Sequence, residues 1–101
     1  MRLDQRRAIT VIEALGQGLR LDIWRLLAAA GPEGVTAGRL AERLEIPPSS
    51  LSFPLQTLRH AGLVTGRRSS RSIIYAAAYA PLEALVCFLA SYGSPGDATR
   101  T

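Results

Sequence analysis

Lysine is missing altogether: all twelve basic residues are arginine, set against eight acids and one histidine, for a formal net charge of +4. Arginine's planar fork suits phosphates and guanine edges. Codon usage in a GC-rich genome is the simpler source of the bias, so composition by itself assigns no partner. Cysteine is nearly missing too. Cys87 stands alone, which excludes an intrachain disulfide and a stapled secreted scaffold. One cysteine with one histidine, His60, cannot build a zinc finger. No apolar run approaches the ~20 residues a membrane span needs. The opening "MRLDQRRAIT" carries charge without an apolar stretch, so no secretory leader is expected and a cytoplasmic location is. No Ser–His–Asp order, glycine-rich phosphate loop or paired carboxylates can be named. Neither an enzyme, a cofactor nor a metal centre is therefore expected.

What is present is a chain of 101 residues, 48% of them hydrophobic. That length suits one domain, 1–101. A domain so small buries a limited core, so the apolar surplus points to an oligomer. Four helical segments come first. Residues 5–15 place Ala8, Ile9, Ile12 and Leu15 at helical spacing. "LRLDIWRLLAAA" follows "GQG", with Leu19, Ile23, Leu26 and Leu27 on one side. Thr36 is a plausible N-cap for "AGRLAERL", whose Leu40 and Leu44 point inward. After "EIPP" comes "SSLSFPLQTLRHAGLV", with Leu51, Leu55 and Leu58 as its core side and Gly62 as its terminator. The period then changes. "LVTGRR" and "SIIYAAA" read as strands around an "SSR" tip, the hairpin spanning 63–77. Pro81 suits the first turn of a final helix over 81–92, and 93–101 reads as a frayed polar tail. The expected fold is mainly α with a β-hairpin, in the order ααααββα: a helix-turn-helix at 36–61 with a wing.

Charge placement sharpens this reading. Residues 46–82 hold Arg59, Arg67, Arg68 and Arg71 and no acid, so the whole net charge of +4 sits there. A one-signed block on the fourth helix and the hairpin is the electrostatic footprint of a nucleic-acid face. Four arginines alone also fit an ordinary solvated surface; their coincidence with the helix-turn-helix and wing does the persuading.

These residues carry a family pattern. "LGQGLRLDIWRLL" (15–27), "LAERLEIPPSSLSFPLQTLRHAGLV" (40–64) and "GRRSSRSIIY" (66–75) resemble the second helix, the helix-turn-helix and the wing of ArsR/SmtB winged-helix repressors. The resemblance covers residues 10 to 92. It implies a cytoplasmic homodimer held by the first and last helices, which binds a double-stranded DNA operator and is released by an effector. Ile9 and Ile12 on the first helix, and Leu82, Leu85, Val86, Phe88 and Leu89 on the last, are the expected dimer contacts. Three departures stand out. Glu45 and Ser70 occupy positions where the family commonly has glycine, and Pro54 stands where it commonly has histidine. The family's usual metal sites, cysteines around the third helix or a histidine–carboxylate set in the last, are absent from "GVTAGRL" and from 81–92.

The expected DNA contacts are Ser49, Ser50, Ser52, Phe53 and Gln56 on the fourth helix, with Arg59, Arg67, Arg68 and Arg71. Gln56 can bond an adenine edge, the serines a phosphate or base, and Phe53 a thymine methyl. Capping is the structural alternative for Ser49 and Ser50, packing on a neighbouring helix for Phe53, and pairing with Glu42 or Glu45 for Arg59. Cys87 is the one address for a thiol-directed effector, but free cysteine usually packs as a small hydrophobe, and burial is expected. Pro54 removes an N–H from the reading helix. With Ser50 as N-cap the first helical bond is lost; with Phe53 as cap the helix starts later. A kinked or late-starting helix follows. A winged-helix module that binds protein, with DNA reading weakened by Pro54, is the competing function.

Overall fold

The computed structural model describes residues 3–92; the tail expected at 93–101 lies outside them. The elements are α1 (Gln5–Leu15), α2 (Gly18–Ala30), β1 (Val35–Thr36), α3 (Ala37–Leu44), a single 3₁₀ turn (Pro48–Ser50), α4 (Ser52–His60), β2 (Val64–Ser69), β3 (Ser72–Ala77) and α5 (Ala80–Ala90). The sheet is three-stranded and antiparallel, in the order β1-β3-β2. β1 is the one element not anticipated. Two residues are too short for a period, and only the pairing of Val35 with Tyr75 and Thr36 with Ile74 makes them a strand.

Side-chain caps start the first three helices. Asp4 accepts from Arg7 N–H at 2.9 Å, Gln17 from Arg20 N–H at 3.0 Å, and Thr36 from Arg39 N–H at 3.3 Å, each satisfying an orphan donor of the first turn. Arg20 also reaches back across the α1–α2 corner. Its Nε donates to the Ala14 carbonyl at 2.7 Å and its Nη2 to the Glu13 carbonyl at 3.0 Å, so a cation closes the negative end of α1.

The core lies where α1–α5 and the inner face of the sheet meet, with Ile23, Leu27, Leu40, Leu51, Leu58 and Leu63 essentially sealed from water. On α1 the inward stripe is Ala8, Val11 and Ala14. Ile9 and Ile12 point out, 44% and 45% exposed. α1 carries two apolar stripes, and the smaller one packs because it lets the helix approach the core closely. The Trp24 indole N–H donates to the Leu63 carbonyl at 2.9 Å and the Tyr79 hydroxyl to the Ala28 carbonyl at 3.2 Å, which ties α2 to both ends of the hairpin.

Among the described residues, the two non-glycine residues with positive φ are Glu45 and Ser70, each at φ 58°, the two positions where the resemblance implies glycine. Glu45 follows α3 in the left-handed conformation, with its N–H on the Glu42 carbonyl and the Ile46 N–H on the Ala41 carbonyl. That is the Schellman arrangement. A Cβ in the left-handed region costs about 1–2 kcal/mol, and extra glycine freedom in the unfolded chain returns part of it. Glu45→Gly is therefore expected to raise stability by about 0.5–1 kcal/mol, read as a higher urea midpoint at unchanged slope.

Candidate nucleic-acid interface

α4 begins late. The 3₁₀ turn closes with Ser50 N–H on the Pro47 carbonyl and Leu51 N–H on the Pro48 carbonyl, and the first α-helical bond runs from Leu55 N–H to the Leu51 carbonyl at 3.0 Å. Leu51 is the cap, without a side-chain bond; neither Ser50 nor Phe53 takes that role. Pro54 is the third helical residue, among the donors that have no intrahelical partner in any helix. Its missing N–H removes no ladder bond, not even the first. α4 ends at Gly62, φ 79°, with Gly62 N–H on the Arg59 carbonyl and Leu63 N–H on the Leu58 carbonyl.

Helical period then sorts the segment. Leu51, Leu55 and Leu58 are buried, as expected of the core side. Ser49 and Ser50 on the 3₁₀ turn, and Ser52, Phe53, Gln56, Arg59 and His60 on α4, are exposed. Phe53 is 74% exposed, so the alternative of packing against a neighbouring helix fails. The side chains of Ser49 and Ser50 do not cap α4.

The wing stands beside this face. Gly66 pairs with Tyr75 and Arg68 with Ile73, on the sheet face that looks toward α4. Arg67 pairs with Ile74 and lies on the opposite face, because strand side chains alternate. Its Nη2 donates to the Glu33 carbonyl at 3.1 Å. Arg67, exposed like the other two wing arginines, thereby ties the wing to the α2–β1 loop. Arg68 and Arg71 make no side-chain hydrogen bond among the described residues and are exposed as well. Arg59 pairs with neither Glu42 nor Glu45; the ion pair among the described residues is Arg39 with Glu42, 3.9 Å apart. An open groove between α4 and β3 is lined by Ser52, Gln56, Arg59, His60 and Tyr75. Tyr75 was not among the expected contacts. Its signal was its place in the strand opposite Gly66, legible only once the register is known.

A second surface lies on α1 and α5. Ile9, Ile12, Val86 (60%) and Leu89 (51%) are exposed. Tyr92, absent from the expected contacts, is 74% exposed and meets Phe88 edge-on at 5.3 Å. Leu82 and Phe88 are half-buried. Leu85 is 7% exposed in the protomer's own core, so it has almost no surface to offer a partner. Cys87 is exposed, not buried as expected. The buried stripe of α5 passes through Pro81 and Leu85, and Cys87 lies two residues further on, roughly 200° around the axis. α5 is apolar on most of its circumference, so the sequence does not mark which stripe packs. Among the described residues, no three His, Cys, Asp or Glu side chains gather where they could share a metal ion, and no helix is long and apolar enough to cross a membrane.

Residues 15–67 match a helix-turn-helix domain family. The chain is 38% identical over 69 residues to an uncharacterized HTH-type transcriptional regulator, YceK, of Bacillus subtilis, a match that covers 68% of this chain and 67% of YceK. It is 28% identical over 86 residues to the transcriptional activator HlyU of Vibrio cholerae, covering 85% of this chain and 77% of HlyU. Among solved structures, an ArsR-like transcriptional regulator from Rhodococcus sp. RHA1 superimposes with a TM-score of 0.81 at 28% identity, over 91% of this chain and 84% of that one.

Proposed function

The chain belongs to the ArsR family of winged helix-turn-helix transcriptional regulators, DNA-binding proteins and not enzymes, and we propose that it acts in the cytoplasm as a homodimeric repressor. The observation that carries this reading is one surface. α4, the wing face beside it and the wing tip present Arg59, Arg68 and Arg71 in turn, with no acid anywhere between residues 46 and 82. In each protomer α4 enters a major groove. Ser52, Phe53 and Gln56 lie near its N-terminal end, where recognition helices meet base edges. Gln56 reads an adenine edge and Phe53 packs on a thymine methyl, while Ser49, Ser50 and the three arginines hold phosphates. Arg67 supports the wing from behind. The dimer forms through the exposed apolar residues of α1 and α5, which sets half-sites one turn of DNA, roughly 34–36 Å, apart. Bound at a promoter, the dimer excludes polymerase. An effector directed at thiols has Cys87, exposed on the same α5, as its address. The protein-binding alternative loses its main support, because Pro54 falls where no helical bond is lost.

Fluorescence anisotropy against DNA from upstream of the protein's own gene, beside a scrambled duplex at two salt concentrations, tests this. Binding is expected to favour the native duplex. With about six arginine–phosphate contacts per dimer, affinity should fall roughly a thousandfold between ~50 and ~200 mM salt. Run-off transcription from the bound promoter should decrease. Equal binding to both duplexes, indifferent to salt, would overturn the reading; increased transcription would reverse the regulatory sign alone.

A further inference from the structure

We propose that Gly66 is a positioning residue for DNA binding: by lacking a side chain it leaves the seat that holds the Arg59 guanidinium between α4 and the wing, poised for a phosphate. The proposal rests on the DNA-binding reading above.

Glycine is poorly suited to the interior of a strand, where it offers nothing to pack and loses more chain entropy than other residues. The backbone does not demand it here, because Gly66 is not among the glycines with positive φ. It also sits on the face that looks toward α4, where a valine or threonine would ordinarily be favoured. The space that a side chain would fill is already taken. A Cβ on Gly66 would stand 3.2 Å from Ile73 Cγ2, 3.3 Å from Tyr75 Cε1 and 3.4 Å from Arg59 Cζ. Ile73 and Tyr75 stand on the paired strand β3, and their side chains meet that Cβ more tightly than the Arg59 guanidinium, which it touches at ordinary contact distance. A methyl alone leaves the guanidinium room, but a side chain that extends beyond its Cβ competes with the Arg59 guanidinium for the same space.

Arg59 is held but not consumed. Among the described residues the ion pair is Arg39 with Glu42 and the arginine side chains that donate hydrogen bonds are those of Arg20 and Arg67, so the five donors of Arg59 remain for a ligand. Arg59 is exposed, with its guanidinium close beside the wing at Gly66; a neighbour on that side limits the rotamers it samples, which is how preorganisation raises affinity. Its place in the last turn of α4 sets it away from the base-reading end of the helix, where a backbone phosphate is the available anion. The wing and the recognition helix thus share one phosphate contact, which exists because β2 leaves a gap at Gly66.

Gly66→Val, Arg59→Ala and the double variant, as full-length chains, would be titrated with a mixed-sequence duplex long enough for a dimer, over a range of salt. Each single change is expected to weaken binding about tenfold and to lower the salt slope by about two per dimer, one for each protomer. The double variant should bind no more weakly than Arg59→Ala alone. A residue that merely supported the fold would add its loss to that of Arg59→Ala and leave the slope unchanged. Any Cβ there also crowds Ile73 and Tyr75, so some loss of stability is expected; binding is compared where thermal unfolding shows the variant folded, and if Gly66→Val does not fold, the smaller Gly66→Ser carries the same comparison. Wild-type affinity in the Gly66 variants, or additive losses in the double, would overturn the proposal while DNA binding stands. Failure of the wild-type protein to bind duplex in a salt-dependent way would overturn the DNA reading, and this one with it.

Discussion

Val86→Arg is expected to yield a monomer and to weaken operator binding by more than about a hundredfold, since a dimer holds two half-sites through one effective-concentration gain of 10²–10⁴. Val86 is 60% exposed and contributes little to the protomer's own core, and Leu89, Ile9 and Ile12 are exposed on the same two helices. If they join into one patch, apolar surface of that size would be uncommon on a small protein that stays alone. In the proposed dimer a guanidinium at position 86 would have to be desolvated within an apolar interface without a partner. The fold of each protomer should be unchanged, because Val86 lies off the buried stripe through Pro81 and Leu85. Sedimentation reads the assembly state and circular dichroism the fold, with anisotropy for the operator. A variant that remained a dimer would place the interface elsewhere and remove α1 and α5 from the functional account.

Gly34→Ala should be among the most destabilising of single changes. Gly34 has φ 78°, where a Cβ already costs about 1–2 kcal/mol. That Cβ would also lie 2.5 Å from the Tyr75 carbonyl oxygen and 2.6 Å from Ile74 Cγ2. The carbonyl is backbone of β3 and cannot yield unless the pairing of β1 with β3 opens. Overpacking of this sort adds about 1–3 kcal/mol, for a total near 2–5 kcal/mol, a large share of a small domain's stability. The loss extends to the wing, because the adjacent Glu33 carbonyl accepts the bond from Arg67. Chemical denaturation should show the shift directly. A change below about 0.5 kcal/mol would mean that the loop before β1 relaxes freely and does not brace the wing.

Much of this was legible in the residues. The leucines of α4 recur at helical spacing and are buried; Thr36 caps α3; Gly62 ends α4; the strands on either side of "SSR" pair as a hairpin. Local patterning dictates such features, since period, cap chemistry and left-handed termini act over a few residues. The concentration of positive charge in 46–82 was equally readable, because it is a sum over a segment.

Tertiary structure alone decided what depends on which of two faces packs. α1 offered two apolar stripes, and the fit of Ala8, Val11 and Ala14 against the core turned Ile9 and Ile12 outward. α5 is apolar nearly all round, so Cys87 came out exposed and Leu85 came out buried. Arg67 and Arg68 are neighbours in sequence, yet strand alternation sent one to the Glu33 carbonyl and left the other beside the reading helix. Gly66, unremarkable in the sequence, acquired its meaning from the register that set it against Tyr75 and beneath Arg59. The sequence by itself determined the elements, their order and the charged segment, because these follow from local periodicity and from sums of charge. The three-dimensional packing determined which side chains reach outward, because that choice is made by the shape of the neighbours each element meets.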